Sequence, residues 1–280
     1  MSLEKIIEIA GKVRETVPLV HNITNYVTVN DVANAELAIG GSALMADDIA
    51  EVRDMVSIAS CTNINMGTLN ARTIESMVEA GKVAGETGTP MVFDPVGAGA
   101  SGLRNQTAER ILAETSPTVI RGNLSEISFV AGVGASTKGV DSSDADASND
   151  PVEVAKKVAA ERGCVVAITG AVDVVTDGKV VYKISNGSPL MSKITGTGCM
   201  CDGLIGCFVG ALDSLDDTAE VAVATAGAIL SMGLAGELTA NSLKEHHGCV
   251  GTGSLHIGII DRLSLLDEAA YREHARIEVL

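Results

Sequence analysis

Short runs of apolar and β-branched residues alternate along this chain with longer stretches in which apolar residues recur at helical spacing. The strand-like runs cover residues 18–21, 42–46, 62–66, 91–94, 118–121 and 165–169. Helical patterns lie between them, for example over residues 30–39. Strands that alternate with helices in this way predict a parallel sheet with helices on both faces. The pattern leaves the order of the strands in the sheet open.

This alternation changes after Thr169. Two β-type runs, 172–176 and 180–184, flank an Asp-Gly-Lys sequence at 177–179. Because Asp-Gly between two such runs is a hairpin signal, we expect antiparallel strands at one edge of the sheet. From Gly198 onward the pattern predicts mostly helices up to the end of the chain.

One segment, residues 132–151, is rich in Ser, Asp, Ala and Gly and has no apolar period. It predicts a surface loop or a locally disordered stretch. No internal repeat and no linker divide the chain, and 280 residues of which 46% are hydrophobic can form one large core. We therefore predict a single domain over residues 1–280.

The chain is strongly acidic, with a formal net charge of −16. This charge argues against nucleic-acid binding, which needs clustered Lys and Arg, and a bound triphosphate would need magnesium to screen it. The first residues form a helical pattern without the apolar region of a signal peptide, and no run reaches ~18 uninterrupted apolar residues. We therefore expect no membrane association and a cytoplasmic location. Six cysteines without a C-x-x-C pair are expected to be reduced thiols.

A glycine-rich segment, Ile194-Thr-Gly-Thr-Gly-Cys199, precedes a predicted helix over 200–212. Glycines at a helix start leave amide groups free for an anion, and the helix dipole favours negative charge there. The same sequence is also typical of a plain turn with a capping threonine, so both interpretations stay open. The position of Cys199 at this helix start favours a lowered thiol pKa and a functional role, and inert packing is the alternative interpretation.

The segment after the strand at 91–94 contains Gly97, Gly99 and Gly102, which fit the dinucleotide-binding pattern G-x-G-x-x-G. An NADP-dependent oxidoreductase is therefore one alternative. The next strand ends in Arg121 instead of an acid for the ribose, which argues against NAD, although an arginine there could favour the 2′-phosphate of NADP. Asp94 places a carboxylate where a pyrophosphate would lie, which argues against both dinucleotides.

The segment Arg121-Gly-Asn-Leu-Ser-Glu126 also follows a strand. Asn123 and Glu126 have the spacing of a capping box, which is a purely structural interpretation. In a functional interpretation, Glu126 and Asp94 supply oxygen ligands to magnesium, often through water, and Arg121 pairs with a nucleotide phosphate. The two interpretations are compatible.

His246, His247 and Cys249, with Cys199 and Cys201, raise the hypothesis of a zinc site, but their spacing matches no zinc pattern. Surface histidines and buried cysteines are the favoured interpretation. A Walker A motif is absent from the sequence, so a kinase with this sequence would not be a P-loop kinase.

Several of these segments, taken together, resemble hydroxyethylthiazole kinases of the ribokinase-like superfamily. The resemblance runs from about Val17 to the C-terminal helices. It is carried by the segments 18–27, 30–34, 40–46, 65–68, 94–99, 121–126 and 196–199. The number and the order of these segments make it far more specific than any single motif.

The resemblance implies a ribokinase-like three-layer α/β sandwich with a central, mostly parallel sheet. It implies phosphorylation of the hydroxyl of 4-methyl-5-(2-hydroxyethyl)thiazole by ATP with Mg²⁺, in thiamine biosynthesis or salvage. It also implies a homotrimer with active sites at the subunit interfaces. The sequence gives no sign of a lid sheet, so a neighbouring subunit would have to cover the substrate.

The resemblance also assigns roles to individual residues. The thiazole-binding positions are Asn25, Val27, Met45 and Gly196. The ATP-binding positions are Arg121, Thr169 and Asn123. The acids that organise magnesium are Asp94 and Glu126. The catalytic segment is Gly196, Thr197, Gly198 and Cys199, and Cys199 stands where related enzymes have an aspartate base. Because phosphoryl transfer depends mostly on positioning and charge neutralisation, we expect the amides of this segment to hold the transferring phosphoryl group. Cys199 would then accept or orient the hydroxyl proton.

Other functions stay open besides this one and the oxidoreductase. A kinase of the same fold could act on another alcohol, such as a pyrimidine of the same pathway, although the stretch around Asn25, Val27 and Met45 favours a small apolar heterocycle. A non-catalytic sensor is a further alternative. Intact Asp94 and Glu126 argue against it.

Overall fold

The computed structural model describes residues 2–133 and 149–280. The segment predicted as a loop, 132–151, therefore lies outside the described residues over 134–148. In the described ranges the strands are β1 Leu19–Ile23, β2 Ser42–Met45, β3 Cys61–Asn65, β4 Met91–Asp94, β5 Val119–Gly122, β6 Val165–Ile168, β7 Asp173–Thr176, β8 Val181–Ile184 and β9 Ile277–Val279.

The helices are α1 Ser2–Thr16, α2 Val29–Ile39, α3 Val52–Ile58, α4 Ala71–Thr87, α5 Gly102–Glu114, α6 Leu124–Val130, α7 Pro151–Arg162, α8 Thr197–Gly210, α9 Thr218–His247, α10 Thr252–Leu265 and α11 Glu268–His274. A short 3₁₀ helix, Pro189–Lys193, precedes α8.

The strands form one nine-stranded sheet in the order β2-β1-β3-β4-β5-β6-β7-β8-β9. Strands β1 to β6 are parallel, and β7, β8 and β9 are antiparallel. The predicted hairpin is therefore confirmed, with Gly178 at a positive φ of 93° in its turn. The prediction of helices up to the chain end misses β9, because three residues are too few to show an alternating pattern.

Two hydrophobic cores lie on opposite faces of the sheet. Val92 of β4 belongs to the core under α1, α8 and α9, whereas its neighbour Phe93 belongs to the core under α4, α5 and α7. Successive side chains of a strand point to opposite faces, so a strand buried on both sides reads as a continuous apolar run. This arrangement is the predicted three-layer sandwich.

One helix in the described part of the chain, α9, is apolar and long enough to span a membrane by length and composition. It is, however, a core helix, since 89% of its most apolar window is buried inside the protein. It packs against α1, α8 and α10. The apolar composition of α9 is thus explained by its burial between other helices.

A glutamate, Glu36, is buried beneath α8. Glu36 of α2 is fully buried. Its Oε1 and Oε2 accept hydrogen bonds from Asn22 Nδ2 at 2.9 and 3.1 Å. A Cβ on Gly203 of α8 would lie only 2.6 Å from Glu36 Oε1, so α8 packs directly over the carboxyl group. Burial raises the pKa of Glu36 well above its ordinary value, and the hydrogen bond from Asn22 offsets part of this.

Replacement of Glu36 with glutamine should remove a pH-dependent loss of stability. The folded state binds the Glu36 proton more tightly than the unfolded state does. The contribution of this bound proton to the free energy of unfolding is therefore complete below about pH 4.5 and declines as the pH rises towards the folded-state pKa. Glu36→Gln stays neutral and keeps an oxygen for Asn22. We expect its unfolding midpoint to exceed that of the parent protein at pH 8, by about 2–4 °C for each kcal/mol gained, and to match it at pH 4.5.

Thermal unfolding of both proteins at the two pH values measures this difference. Glu15→Gln, on the exposed end of α1, serves as the control and should change neither midpoint. If Glu36→Gln raised the unfolding midpoint equally at both pH values, protonation of Glu36 would not be the cause of the gain.

Candidate active site

A crevice lies outside the carboxyl ends of the parallel strands, where open α/β sheets bind ligands. It contains two adjoining cavities. Cavity A, of about 510 Å³, is bounded by residues after β6, by the 185–189 segment after β8 and by α9. Cavity B, of about 590 Å³, is bounded by residues after β1, β3, β4 and β5 and by the 193–199 segment. The residues that line both cavities are Arg121, Ser192, Thr197 and Gly198.

The start of α8 lies between the two cavities. The helix begins at Thr197, three residues before the predicted start, and Gly196 is its N-cap with φ of 91° and no side-chain cap. The alternative of a turn capped by threonine is therefore wrong. A Cβ on Gly196 would lie 2.8 Å from Thr28 Cγ2, and one on Gly198 would lie 2.8 Å from Arg121 Nη1. Glycine is needed at position 196 for the positive φ, and a side chain at position 198 would displace the Arg121 guanidinium. The uncapped first-turn amides fit an anion.

A single arginine joins the two cavities to a pair of buried acids. Arg121 donates through Nη2 to Thr169 Oγ1 at 2.7 Å. Its Nη1 lies 3.2 Å from Asp94 Oδ2 and 3.6 Å from Asp202 Oδ1. Asn65 Nδ2 donates to both acids, at 2.9 Å to Asp94 Oδ2 and 3.0 Å to Asp202 Oδ2. Burial, with the neighbouring charge of Asp202, raises the pKa of Asp94, and Arg121 opposes this rise.

Asp202 is a site residue that the sequence reasoning missed. It is fully buried on α8, three positions after Cys199, and therefore lies on the same face of the helix. Burial raises its pKa, and Arg121 counteracts that effect. The signal that could have revealed it is the lone acid in the otherwise apolar stretch 200–209.

The capping box at the start of α6 is confirmed. The Glu126 amide donates to Asn123 Oδ1 at 2.9 Å, and the Asn123 amide donates to Glu126 Oε2 at 2.8 Å. Oε1 of Glu126 accepts from the Gly97 amide at 2.8 Å. Burial and the charge of Asp94 raise the pKa of Glu126 to about 7. Glu126 lines cavity B, and both of its oxygens already accept hydrogen bonds from backbone amides.

The glycine loop after β4 does not form a dinucleotide site. Arg104 occupies the space beside it and donates to the carbonyls of Val96 at 2.5 Å, Met66 at 2.7 Å and Gly67 at 2.8 Å. The Gly97 amide is engaged by Glu126. A pyrophosphate would need this amide and this space, so the loop instead ties the strand ends β3 and β4 together.

Asp94 has the features of a magnesium ligand. Its Oδ1 is buried and has no hydrogen-bond partner among the described residues. A carboxylate oxygen with free lone pairs is the ligand type that Mg²⁺ prefers. The described residues contain no cluster of three or more His, Cys, Asp or Glu that could hold a metal. A magnesium ion here would thus need water and substrate phosphates to complete its coordination, as is typical for this ion.

Cys199 is half-buried and lines cavity B. Its sulfur accepts from Nδ2 of Asn25 at 3.1 Å and of Asn65 at 3.5 Å. The pKa of this thiol is raised to about 11, chiefly by burial and then by the carboxylates of Asp202 and Asp94. The expected lowering at the helix start is therefore wrong, because burial and two nearby anions outweigh the helix dipole.

The predicted thiazole-binding residues are only partly brought together. Asn25, Val27 and Gly196 line cavity B, and Asn25 is held by bonds to Asn65 Oδ1 at 3.1 Å and from Thr28 Oγ1 at 3.1 Å. Met45 lies at the end of β2, the edge strand of the sheet, and lines neither cavity.

The predicted nucleotide residues divide between the cavities. Thr169 lines cavity A, Arg121 lines both, and Asn123 lines cavity B beside Asp94 and Glu126. The residues of the zinc hypothesis are not assembled. His246, His247 and Cys249 are exposed, so the expectation of a buried cysteine is wrong for Cys249, whereas Cys201 is buried on α8.

This chain is similar to known proteins in sequence and in structure. The sequence model of a family described as "Hydroxyethylthiazole kinase family" matches residues 10–269. The hydroxyethylthiazole kinase of Ruminiclostridium cellulolyticum is 54% identical over 275 residues, which cover 98% of this chain and 97% of that protein.

Two solved structures are similar to this chain. The hydroxyethylthiazole kinase protein of Pyrococcus horikoshii OT3 aligns with a TM-score of 0.85 and 36% identity, covering 99% of each chain. A ribokinase-like superfamily protein of Enterococcus faecalis V583 aligns with a TM-score of 0.62 and 13% identity over 89% of this chain and 87% of that chain. At this low identity, the second similarity concerns the fold alone.

Proposed function

Because this chain belongs to the hydroxyethylthiazole kinase family, we propose that its two adjoining cavities together carry out the reaction of that family. The chain is a phosphotransferase of thiamine biosynthesis that phosphorylates the hydroxyl of 4-methyl-5-(2-hydroxyethyl)thiazole, with ATP as the phosphoryl donor. In the proposal, cavity A binds ATP and cavity B binds the thiazole alcohol. The protein acts in the cytoplasm.

The observation that carries this arrangement is the uncapped start of α8 between the two cavities. A phosphoryl group that moves from one substrate to the other must pass this point. The amides of Gly196, Thr197, Gly198 and Cys199 offer hydrogen bonds there, and the helix dipole adds positive potential. Phosphoryl transfer has a loose transition state, so positioning and charge stabilisation supply most of the catalysis.

Arg121 and its neighbours hold the nucleotide in this proposal. The Arg121 guanidinium stabilises negative charge on the triphosphate, and Thr169 fixes its orientation from cavity A. Asn123 binds near the triphosphate end of ATP, since it lines cavity B. The apolar side chains of Ile229 and Met232 in α9 offer a surface for the base in cavity A.

Asp94 and Glu126 would hold the magnesium ion. Asp94 would bind it through Oδ1, which no other described residue engages, and Glu126 would bind it through water. When bound, the ion would neutralise the triphosphate next to two buried acids in a protein of net charge −16. The residues present fit this role. Magnesium-free ATP should therefore be a poor substrate.

The thiazole ring occupies the part of cavity B formed by Asn25, Val27 and Gly196. We propose a homotrimer in which the edge strand β2 faces a neighbouring subunit. Met45 of each subunit then completes the thiazole pocket of its neighbour. The exposed apolar side chains of Tyr26, 79% exposed, and Val27 support such an interface. A neighbouring subunit in this position would cover the substrate.

Replacement of Cys199 with alanine should lower kcat by less than about tenfold. With a pKa near 11 the thiol is protonated at neutral pH, and a protonated thiol is a poor general base. The sulfur instead orients the alcohol together with Asn25. Steady-state kinetics at saturating substrates measure the loss, with Cys164→Ala, buried beside β6, as the control. A loss of ~10³-fold or more would restore the base role.

An assay of ADP release with ATP and magnesium, with and without the thiazole alcohol, tests the proposed function. Release that depends on the thiazole supports it. Release only with another alcohol, such as a pyrimidine, would keep the mechanism and change the substrate. Silence with every alcohol, from a folded protein whose melting temperature rises with ATP, would favour a sensor. Stabilisation by NADPH in place of ATP would favour an oxidoreductase.

A further inference from the structure

A carboxylate on α9 lies behind one wall of cavity A. This wall is the loop of residues 185–188, which follows β8. Glu237 has a side chain that is 16% exposed, and its Oε2 accepts from the Gly187 amide at 3.1 Å and from Asn186 Nδ2 at 3.2 Å. One carboxylate thus binds both the backbone and a side chain of the cavity wall.

An arginine near the C-terminus fixes the same wall from the other side. Arg276 donates to Glu237 Oε1 at 2.7 Å and to Oε2 at 2.6 Å, and it also donates to the Ser185 carbonyl at 2.7 Å. Its backbone amide donates to Asn186 Oδ1 at 2.7 Å. Bidentate arginine–carboxylate pairs combine strength with a fixed geometry. The hydrogen bond from Arg276 is the largest cause that holds the pKa of Glu237 below its ordinary value.

The loop itself has a conformation that needs support. Gly187 has φ of 137°, a region that other residues rarely adopt. A Cβ on Gly233 would lie 2.8 Å from the Asn186 carbonyl oxygen, so the backbone of α9 touches the loop directly. A loop that is released from such contacts gains conformational entropy, and a ligand must then remove that entropy on binding.

We propose that the Glu237–Arg276 pair is a positioning element for the nucleotide. It holds the 185–188 loop in the conformation that ATP requires before ATP arrives. Neither side chain lines cavity A, so both act through the loop. This inference rests on the proposed assignment of ATP to cavity A.

Replacement of Glu237 with alanine tests the proposal by steady-state kinetics. The KM for ATP should rise about tenfold, because the loop loses its charge-assisted bonds and must be ordered by the nucleotide. The value of kcat should stay within about twofold, and the KM for the thiazole alcohol should not change. The affinity for a non-hydrolysable ATP analogue, measured by calorimetry, should fall by the same factor as the KM rises.

Glu4→Ala is the matched control. Glu4 forms a bidentate pair of similar geometry with Arg272, at 2.6 and 2.7 Å, which is more exposed and joins α1 to α11 away from cavity A. This variant should leave both KM values unchanged. Glu237→Gln, which keeps an acceptor for the Gly187 amide but loses the charge, should raise the KM for ATP by less than Glu237→Ala. It also serves as the test variant if Glu237→Ala fails to fold.

The outcomes separate this inference from the proposed function. Unchanged KM values in both Glu237 variants would overturn the positioning role and leave the function intact. Equal rises in the Glu4 and Glu237 variants would also overturn it, since the effect would then be a general loss of C-terminal structure. A rise in the KM for the alcohol alone would show that cavity A does not bind ATP, which contradicts the proposed function.

Discussion

Replacement of Arg121 with methionine is expected to lower kcat by about 10²–10³-fold, the loss seen when one donor to a developing transition-state charge is removed. Arg121 lies at the point where the two cavities meet, beside the uncapped start of α8. Its side chain is 12% exposed, so little water can replace its charge. Methionine fills a similar volume without charge or donors.

The loss should appear in kcat and, to a smaller extent, in the KM for ATP, since the guanidinium meets phosphate both in the ground state and during transfer. Arg110→Met is the control, because Arg110 pairs with Glu75 on the outer faces of α4 and α5 and lines neither cavity. Thermal unfolding should show that both variants fold. A kcat of Arg121→Met within about threefold of the parent enzyme would contradict the assigned role.

Replacement of Asp94 with asparagine is expected to lower kcat by a similar factor and to raise the magnesium concentration for half-maximal rate at least about tenfold. Oδ1 of Asp94, which has no hydrogen-bond partner within residues 2–133 and 149–280, is the best candidate in the site for a direct magnesium ligand. Asparagine keeps the shape and an oxygen but removes the charge. Initial rates over a series of magnesium concentrations at fixed ATP measure both effects.

Asp202→Asn is the informative comparison, because Asp202 also has a buried oxygen without a hydrogen-bond partner in the described part of the chain. Asp202 lies deeper, on α8, and does not line either cavity. We expect its asparagine variant to leave the magnesium dependence nearly unchanged. If Asp202→Asn, and not Asp94→Asn, shifts that dependence, the metal has been assigned to the wrong acid.

The fold was accessible from the sequence because its signals are local. Strand β4, residues 91–94, was predicted with its exact bounds, since three successive apolar residues followed by Asp-Pro-Val-Gly leave few alternatives. The β7–β8 hairpin followed from one Asp-Gly pair. Strand β9 was missed because its three residues are held by pairing with β8, nearly a hundred residues earlier in the chain.

Parts of the site were accessible for a similar reason. Asp94, Arg121 and Thr169 lie at the ends of neighbouring parallel strands, and such ends meet at one edge of the sheet. The Asn123–Glu126 capping box is a pattern of four residues. The roles of Asn25, Val27 and Met45 came only from the family resemblance, and Met45 lines neither cavity of the single chain.

What the sequence determined by itself is therefore the layered α/β fold, the strand-end positions and, to within three residues, the helix start that separates the cavities. Each depends on the burial pattern or backbone geometry of a few consecutive residues. The tertiary structure alone decided the chemistry of individual side chains. Asn65 bonds to Asp202 across 137 positions, and the thiol of Cys199 has a raised pKa because the surrounding core buries it and because Asp94, from strand β4 of the sheet, lies near it together with Asp202. Electrostatic energies depend on distance in space and on exclusion of water, and neither quantity is encoded in sequence spacing.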